Sequence, residues 1–141
     1  MNKKIKEIEQ NLKGLKSSKN RDNIISVLIK EGVPVSVEDI FLRIKEKNNK
    51  ISLSTVYRII DKLIALNIVR EASRHDDKAL YELVQNGHHH YIICTKCKKM
   101  IVLNSCPITE LEQKISQDTG FYITGHKYEI YGECPACHEN H

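Results

Sequence analysis

Residues 54–67, STVYRIIDKLIALN, decide how the chain is to be read. Val56, Ile59, Ile60, Leu63 and Ile64 recur at i, i+3, i+4, i+7 and i+8, the apolar stripe of a helix with one buried face. Ser52 or Ser54 supplies the cap, and the opposite face carries Thr55, Tyr57, Arg58, Asp61 and Lys62. The helical period extends upstream. Residues 19–31 hold Ile24, Ile25, Val27, Leu28 and Ile29 between the cap candidates Ser17 and Ser18 and the stop Gly32. Beyond Pro34, Ser36 and Asp39 open a helix over Ile40, Phe41 and Ile44 that ends at Asn48-Asn49. Residues 3–14 form an earlier amphipathic stretch with Ile5, Ile8 and Leu12 on one side. Downstream, two extended runs, 68–72 and 79–84, flank the polar residues 73–78. Helices followed by a hairpin in this order predict a winged helix-turn-helix.

The second half reads differently. Residues 91–103 hold β-branched and aliphatic runs around a cysteine pair. A helix over 108–118 has Ile108, Leu111 and Ile115 in register, and 121–131 reads as a strand. The fold class expected is therefore α+β: a winged helix over 1–84, then an α/β module over 85–141, divided at Gln85-Asn86-Gly87. Charge follows the same division. Residues 1–70 hold 15 Lys and Arg against 8 Asp and Glu, whereas 71–141 hold 7 against 10. All five cysteines and all seven histidines lie beyond residue 74, so the halves are expected to serve different partners. No apolar run approaches the roughly 20 residues that span a bilayer, and Lys3, Lys4 and Lys6 follow Met1 with no apolar segment behind them. A cytoplasmic chain with no membrane partner is expected.

Cys94-Thr-Lys-Cys97 and Cys134-Pro-Ala-Cys137 form two pairs with 36 residues between them. A two-residue spacer lets both thiolates of a pair reach one ion, and zinc takes four such ligands tetrahedrally. Two disulfides are the alternative, disfavoured in a cytoplasmic chain. A redox dithiol needs only one pair at a helix start. Structural zinc is the expectation, with the ion stapling the fold. Cys106, the odd cysteine, is either a small buried residue or a ligand of a second ion.

His88-His89-His90 precedes Cys94. On an extended strand His88 and His90 face one side and His89 the other, so one segment can serve two sites. His126, Glu82, Glu110 and Cys106 are the further candidates. Imidazoles with a carboxylate or thiolate suit zinc, iron, manganese or nickel. His75, His138 and His141 read as surface residues. There is no glycine-rich phosphate loop, no nucleophile elbow, no HExxH and no His-x-Glu of a deaminase, so no enzyme and no small-molecule substrate is expected.

The run Ser52-Leu-Ser-Thr-Val-Tyr-Arg58, the histidines before Cys94-x-x-Cys97, Gly120-Phe-x-x-x-x-His126 and Tyr131-Gly-x-Cys134-x-x-Cys137 together resemble the ferric uptake regulator family of metal-dependent repressors, over essentially the full length. The resemblance implies a winged helix and a dimerisation domain, with Cys94, Cys97, Cys134 and Cys137 holding structural zinc. It also implies a homodimer on a palindromic double-stranded DNA operator, read by the helix that carries Ser54, Thr55, Tyr57, Arg58 and Lys62, with Arg21 on the backbone. Glu82 and His89 match a hinge-side metal site; His88, His90 and His126 match a second. Several positions depart from the family. Tyr91 stands where a histidine is usual, Val33-Pro34 offers no ligand, and the carboxylate position of the second site is Thr109, next to Glu110. Cys106-Pro107 resembles the zinc-uptake-regulator branch. Zinc is therefore the expected corepressor, ahead of iron or manganese, and a peroxide sensor is the remaining family alternative. A zinc-stabilised interaction module or metal buffer without DNA binding is the rival of another class.

Overall fold

The computed structural model describes residues 8, 10, 12, 18–48, 50–84, 89–103 and 106–139. The chain divides into two compact units, Met1–Asn86 and Gly87–His141. In the first, three helices precede a hairpin: α1 Lys19–Glu31, α2 Val37–Lys45, α3 Leu53–Ala65, β1 Val69–His75 and β2 Lys78–Leu83. Serine caps set all three starts. Ser18, Ser36 and Ser52 accept from the backbone N–H of Arg21, Asp39 and Thr55 respectively. Gly32 closes α1 in the left-handed conformation at φ 68, donating its N–H to Leu28.

Ile24, Ile40, Val56 and Leu63 are 0% exposed and centre one core, to which Ile60, Ile68, Val69 and Leu83 contribute. Burying each such side chain contributes about 1.5–3 kcal/mol. The expected stripe of the third helix holds at Val56, Ile60 and Leu63, with Ile59 partly buried. Ile64 departs from it, at 38% exposed, because residue i+8 has drifted to the edge of the face. The expected helix over 3–14 lies mostly outside the described residues, although Ile8 is buried in the core and Leu12 packs against it.

The hairpin is longer than residues 68–72 and 79–84 suggested. Pairing runs to His75↔Lys78, leaving only Asp76 and Asp77 in the turn. Both adopt left-handed backbone, φ 51 and 64, which matches the twist of a two-residue hairpin. Val35 and Tyr81 exchange two backbone hydrogen bonds at 2.8 Å, fixing the chain ahead of α2 to the hairpin.

The second unit holds β3 His90–Cys94, β4 Met100–Leu103, α4 Ile108–Thr119, β5 Ile130–Gly132 and α5 Pro135–Glu139. The strand order is β4-β3-β5, antiparallel to β4 and parallel to β5. The strand expected over 121–131 shrinks to three residues, since only Ile130, Tyr131 and Gly132 pair with β3. Phe121 and Tyr122 stand 71% and 96% exposed. On α4 the half-buried stripe is Ile108, Glu112 and Ser116, so Leu111 and Ile115 face outward at 53% and 41% exposed instead of filling a core. Among the described residues no helix is long and apolar enough to cross a membrane.

Candidate metal centres and nucleic-acid interface

The two cysteine pairs converge because β3 and β5 are neighbours. Cys94 ends β3, Cys97 follows in the turn toward β4, and Cys134 and Cys137 flank the start of α5. Lys98 takes left-handed backbone at φ 66, folding the turn so that Cys94 N–H reaches Lys99 O at 2.9 Å. Thr95 N–H ties that turn to Gly132 O at 2.8 Å. The four Sγ atoms all lie within 4.8 Å of one another, and Cys97 and Cys134 Sγ are 3.8 Å apart. Cys94 Sγ accepts from Cys134 N–H at 3.4 Å and Cys97 N–H at 3.5 Å, and these bonds hold its thiol down to about 6. Cys137, sharing protons with Cys134 and then Cys97, is pushed up to about 12. One ionised thiol surrounded by three more at ligand distance fits a tetrahedral zinc ion.

A second cluster joins β3, the segment ahead of α4, and the loop before β5. His90, Cys106 and His126 offer ligand atoms that lie within 4.8 Å of one another. His126 Nε2 is 3.0 Å from His90 Nε2 and 3.4 Å from Cys106 Sγ. Each imidazole is held from behind. His90 Nδ1 donates to Tyr128 O at 3.1 Å, and His126 Nδ1 donates to the Glu112 carboxylate. A carbonyl and a carboxylate only accept, so the proton of each neutral ring sits on Nδ1 and both Nε2 lone pairs point into the cluster. Two lone pairs at 3.0 Å repel unless a proton or metal cation lies between them. The donor set therefore fits a metal ion: two imidazoles and a thiol, with second-layer acceptors already in position.

The remaining expected ligands fall elsewhere. His88 lies outside the described residues. His89 is exposed, and Glu110 points to solvent on α4, so neither joins the cluster. Glu82 is on β2, where its carboxylate accepts from Arg70 Nε at 3.0 Å. Cys106 is half-buried, with its Sγ beside His126 Nε2. Glu112 was absent from the expected set. The helical period marks it, because it lies four residues beyond Ile108 on the half-buried stripe, whereas Glu110 lies across the helix.

On α3, Tyr57, Arg58 and Lys62 are exposed on one face. Tyr57 Oη donates to Glu38 Oε1 at 2.7 Å. Ser54 and Thr55 are less available, with hydroxyls engaged by Ser52 Oγ at 3.1 and 2.8 Å. The Arg21 side chain is only 16% exposed, and its Nε, 3.8 Å from Asp22, finds no hydrogen-bond partner among the described residues.

A winged helix joined to a unit with a four-cysteine site and a second histidine–cysteine cluster defines a class: metal-binding regulators of the winged-helix kind. The chain matches the ferric uptake regulator family over residues 12–131, and it belongs to that family. It is 32% identical over 132 residues to the ferric uptake regulation protein of Synechococcus elongatus, across 92% of this chain and 90% of that one. It is also 32% identical over 122 residues to its Escherichia coli K12 counterpart, covering 86% and 82%. Among solved structures, the Helicobacter pylori ferric uptake regulator, described as having three functional metal binding sites, superposes with a TM-score of 0.80 at 27% identity, covering 97% and 93%. A zinc-bound manganese uptake regulator superposes at 0.75 with 29% identity, covering 86% and 92%.

Proposed function

We infer that this chain is a metal-responsive transcriptional repressor that acts as a homodimer on a palindromic DNA operator, with zinc as corepressor. The observation that carries the reading is the cluster of His90, Cys106 and His126, ready to take an ion, in one chain with the basic face of a winged helix. Residues 1–84 read DNA, and residues 85–141 hold metal and dimerise. Cys94, Cys97, Cys134 and Cys137 hold a structural zinc. A thiolate favours zinc over manganese or ferrous iron, which supports zinc at the second cluster.

When bound there, the ion supplies the positive charge that the converging lone pairs require. His90 opens β3, four residues beyond the boundary between the units. Operator affinity then follows metal through thermodynamic linkage. Arg58, exposed on α3, has the fork geometry to pair with guanine, and Lys62 carries charge for phosphates. Leu111, Ile115, Phe121 and Tyr122 leave apolar surface exposed on the second unit, as a self-associating chain requires.

Iron is the second reading, favoured by the names of the Synechococcus and Escherichia coli relatives. The experiment is metal analysis of the purified protein together with operator binding in buffered zinc, ferrous iron and manganese. Two zinc ions per protomer and binding that follows zinc support the first reading. One zinc per protomer with binding that follows iron supports the second, and no metal-dependent binding overturns both.

A further inference from the structure

Tyr57 stands 42% exposed on α3, and its hydroxyl is committed to Glu38 in the first turn of α2. The direction of that bond is settled by protonation. The bond to Tyr57 holds the Glu38 carboxyl below its ordinary range, helped by the residue's own backbone N–H and by Lys78, whereas the same bond raises the Tyr57 phenol. Glu38 is thus an anion that only accepts. Tyr57 is a neutral phenol with a single proton, and that proton points to Glu38 Oε1.

We propose that Glu38 is a positioning residue for operator reading: by accepting the hydrogen bond of the Tyr57 hydroxyl it leaves Tyr57 an acceptor with an apolar ring, selective for an A·T pair. This rests on α3 being the DNA-reading helix, as inferred above, and lying in the major groove, where base edges are distinguishable. There, adenine presents its N6 donor and, beside it, thymine its methyl group. A G·C pair instead presents the O6 acceptor at that purine position, carries its donor on the cytosine N4 and lacks the methyl group. A tyrosine free to rotate its hydroxyl proton accepts from adenine or donates to guanine equally well; one held by a carboxylate accepts only. The bond also crosses from α2 to α3, linking residues 19 positions apart, so it fixes the ring direction from outside the reading helix.

The test is selection of operators from a randomised DNA pool by the zinc-loaded full chain, compared for the unsubstituted protein, Glu38→Ala, Tyr57→Phe and the double variant, with zinc content and thermal midpoint measured on each. The expected result is a position in each half-site where A·T is preferred and where Glu38→Ala lowers discrimination against G·C about tenfold. Tyr57→Phe should weaken binding to the A·T operator yet still reject G·C, because the ring remains and the hydroxyl is gone. Adding Glu38→Ala to Tyr57→Phe should change the preference no further. A uniform loss across all operators in Glu38→Ala, or an unchanged base preference, overturns the proposal while leaving the repressor reading intact. Failure of the unsubstituted protein to enrich any operator overturns the repressor reading, and this proposal with it.

Discussion

The proton on His126 Nδ1 is held by Glu112, and that bond sets what Nε2 offers on the other side of the ring. A carboxylate behind an imidazole fixes its tautomer and raises its basicity as a ligand. Glu112→Gln keeps the size but removes the charge, and should weaken metal binding at this cluster about 10- to 100-fold, measured by competition with a chelator. The four-cysteine zinc should stay in place in that variant. At the other centre, Cys94 has its thiol lowered to about 6 by the Cys134 and Cys97 backbone N–H groups. A lowered folded value stabilises the metal-free fold above the ordinary thiol range of about 8.5, and that contribution fades as pH falls through about 6. Cys94 is therefore already mostly thiolate at pH 7. Loading zinc at that pH should release fewer than four protons, counted by calorimetry in buffers of different ionisation enthalpy; release of all four would contradict the bonding described. Cysteine spacing made this centre legible in the sequence. Glu112 was not, since its role depends on a loop 14 residues later returning His126 to α4.

At the scale of elements, α3 shows how far a local pattern carries. Its period, cap and buried positions Val56, Ile60 and Leu63 can all be read from adjacent residues, because a helix forms its hydrogen bonds within itself. Ile60→Ala should cost about 2–5 kcal/mol of stability, because Ile60 is 1% exposed. Ile64→Ala, at the exposed edge, should cost under about 1 kcal/mol. Thermal or urea unfolding of the two variants separates them, and equal losses would mean that the packing of α3 is misassigned. The segment 121–131 shows the opposite case. Tyrosine and isoleucine give it strand character, yet a strand needs a neighbour along its length, and β3 accepts only Ile130–Gly132. Pairing in parallel across some 37 residues is a property of the whole unit that no local stretch displays.

At the scale of the molecule, two units of opposite charge balance carry separate chemistry on one chain. The second unit leaves Leu111, Ile115, Phe121, Tyr122 and Tyr131 exposed in its own right. If this surface is where two copies meet, Leu111→Glu should turn the dimer into a monomer by sedimentation while leaving the four-cysteine zinc in place. A dimer that survives that substitution would move the interface elsewhere. Removing a zinc thiolate should act differently. Cys97→Ser should lose zinc and unfold the second unit, with the first retaining its helical signal; the core of Ile24, Ile40, Val56 and Leu63 lies wholly within the first unit.

The parallel ladder between β3 and β5 also has a consequence in time. Its partners are far apart in the chain, and bringing such distant segments together costs about 3 kcal/mol of loop entropy before any contact forms. On the protein side, three ladder pairs, Ile92↔Ile130 to Cys94↔Gly132, and a few bonds beside them such as Thr95 N–H to Gly132 O repay it. A chain that has not yet taken zinc at the four cysteines is therefore expected to close this loop slowly, and pulse proteolysis of refolding protein with and without zinc checks it. Zinc would then act on the rate at which the second unit closes as well as on its final stability.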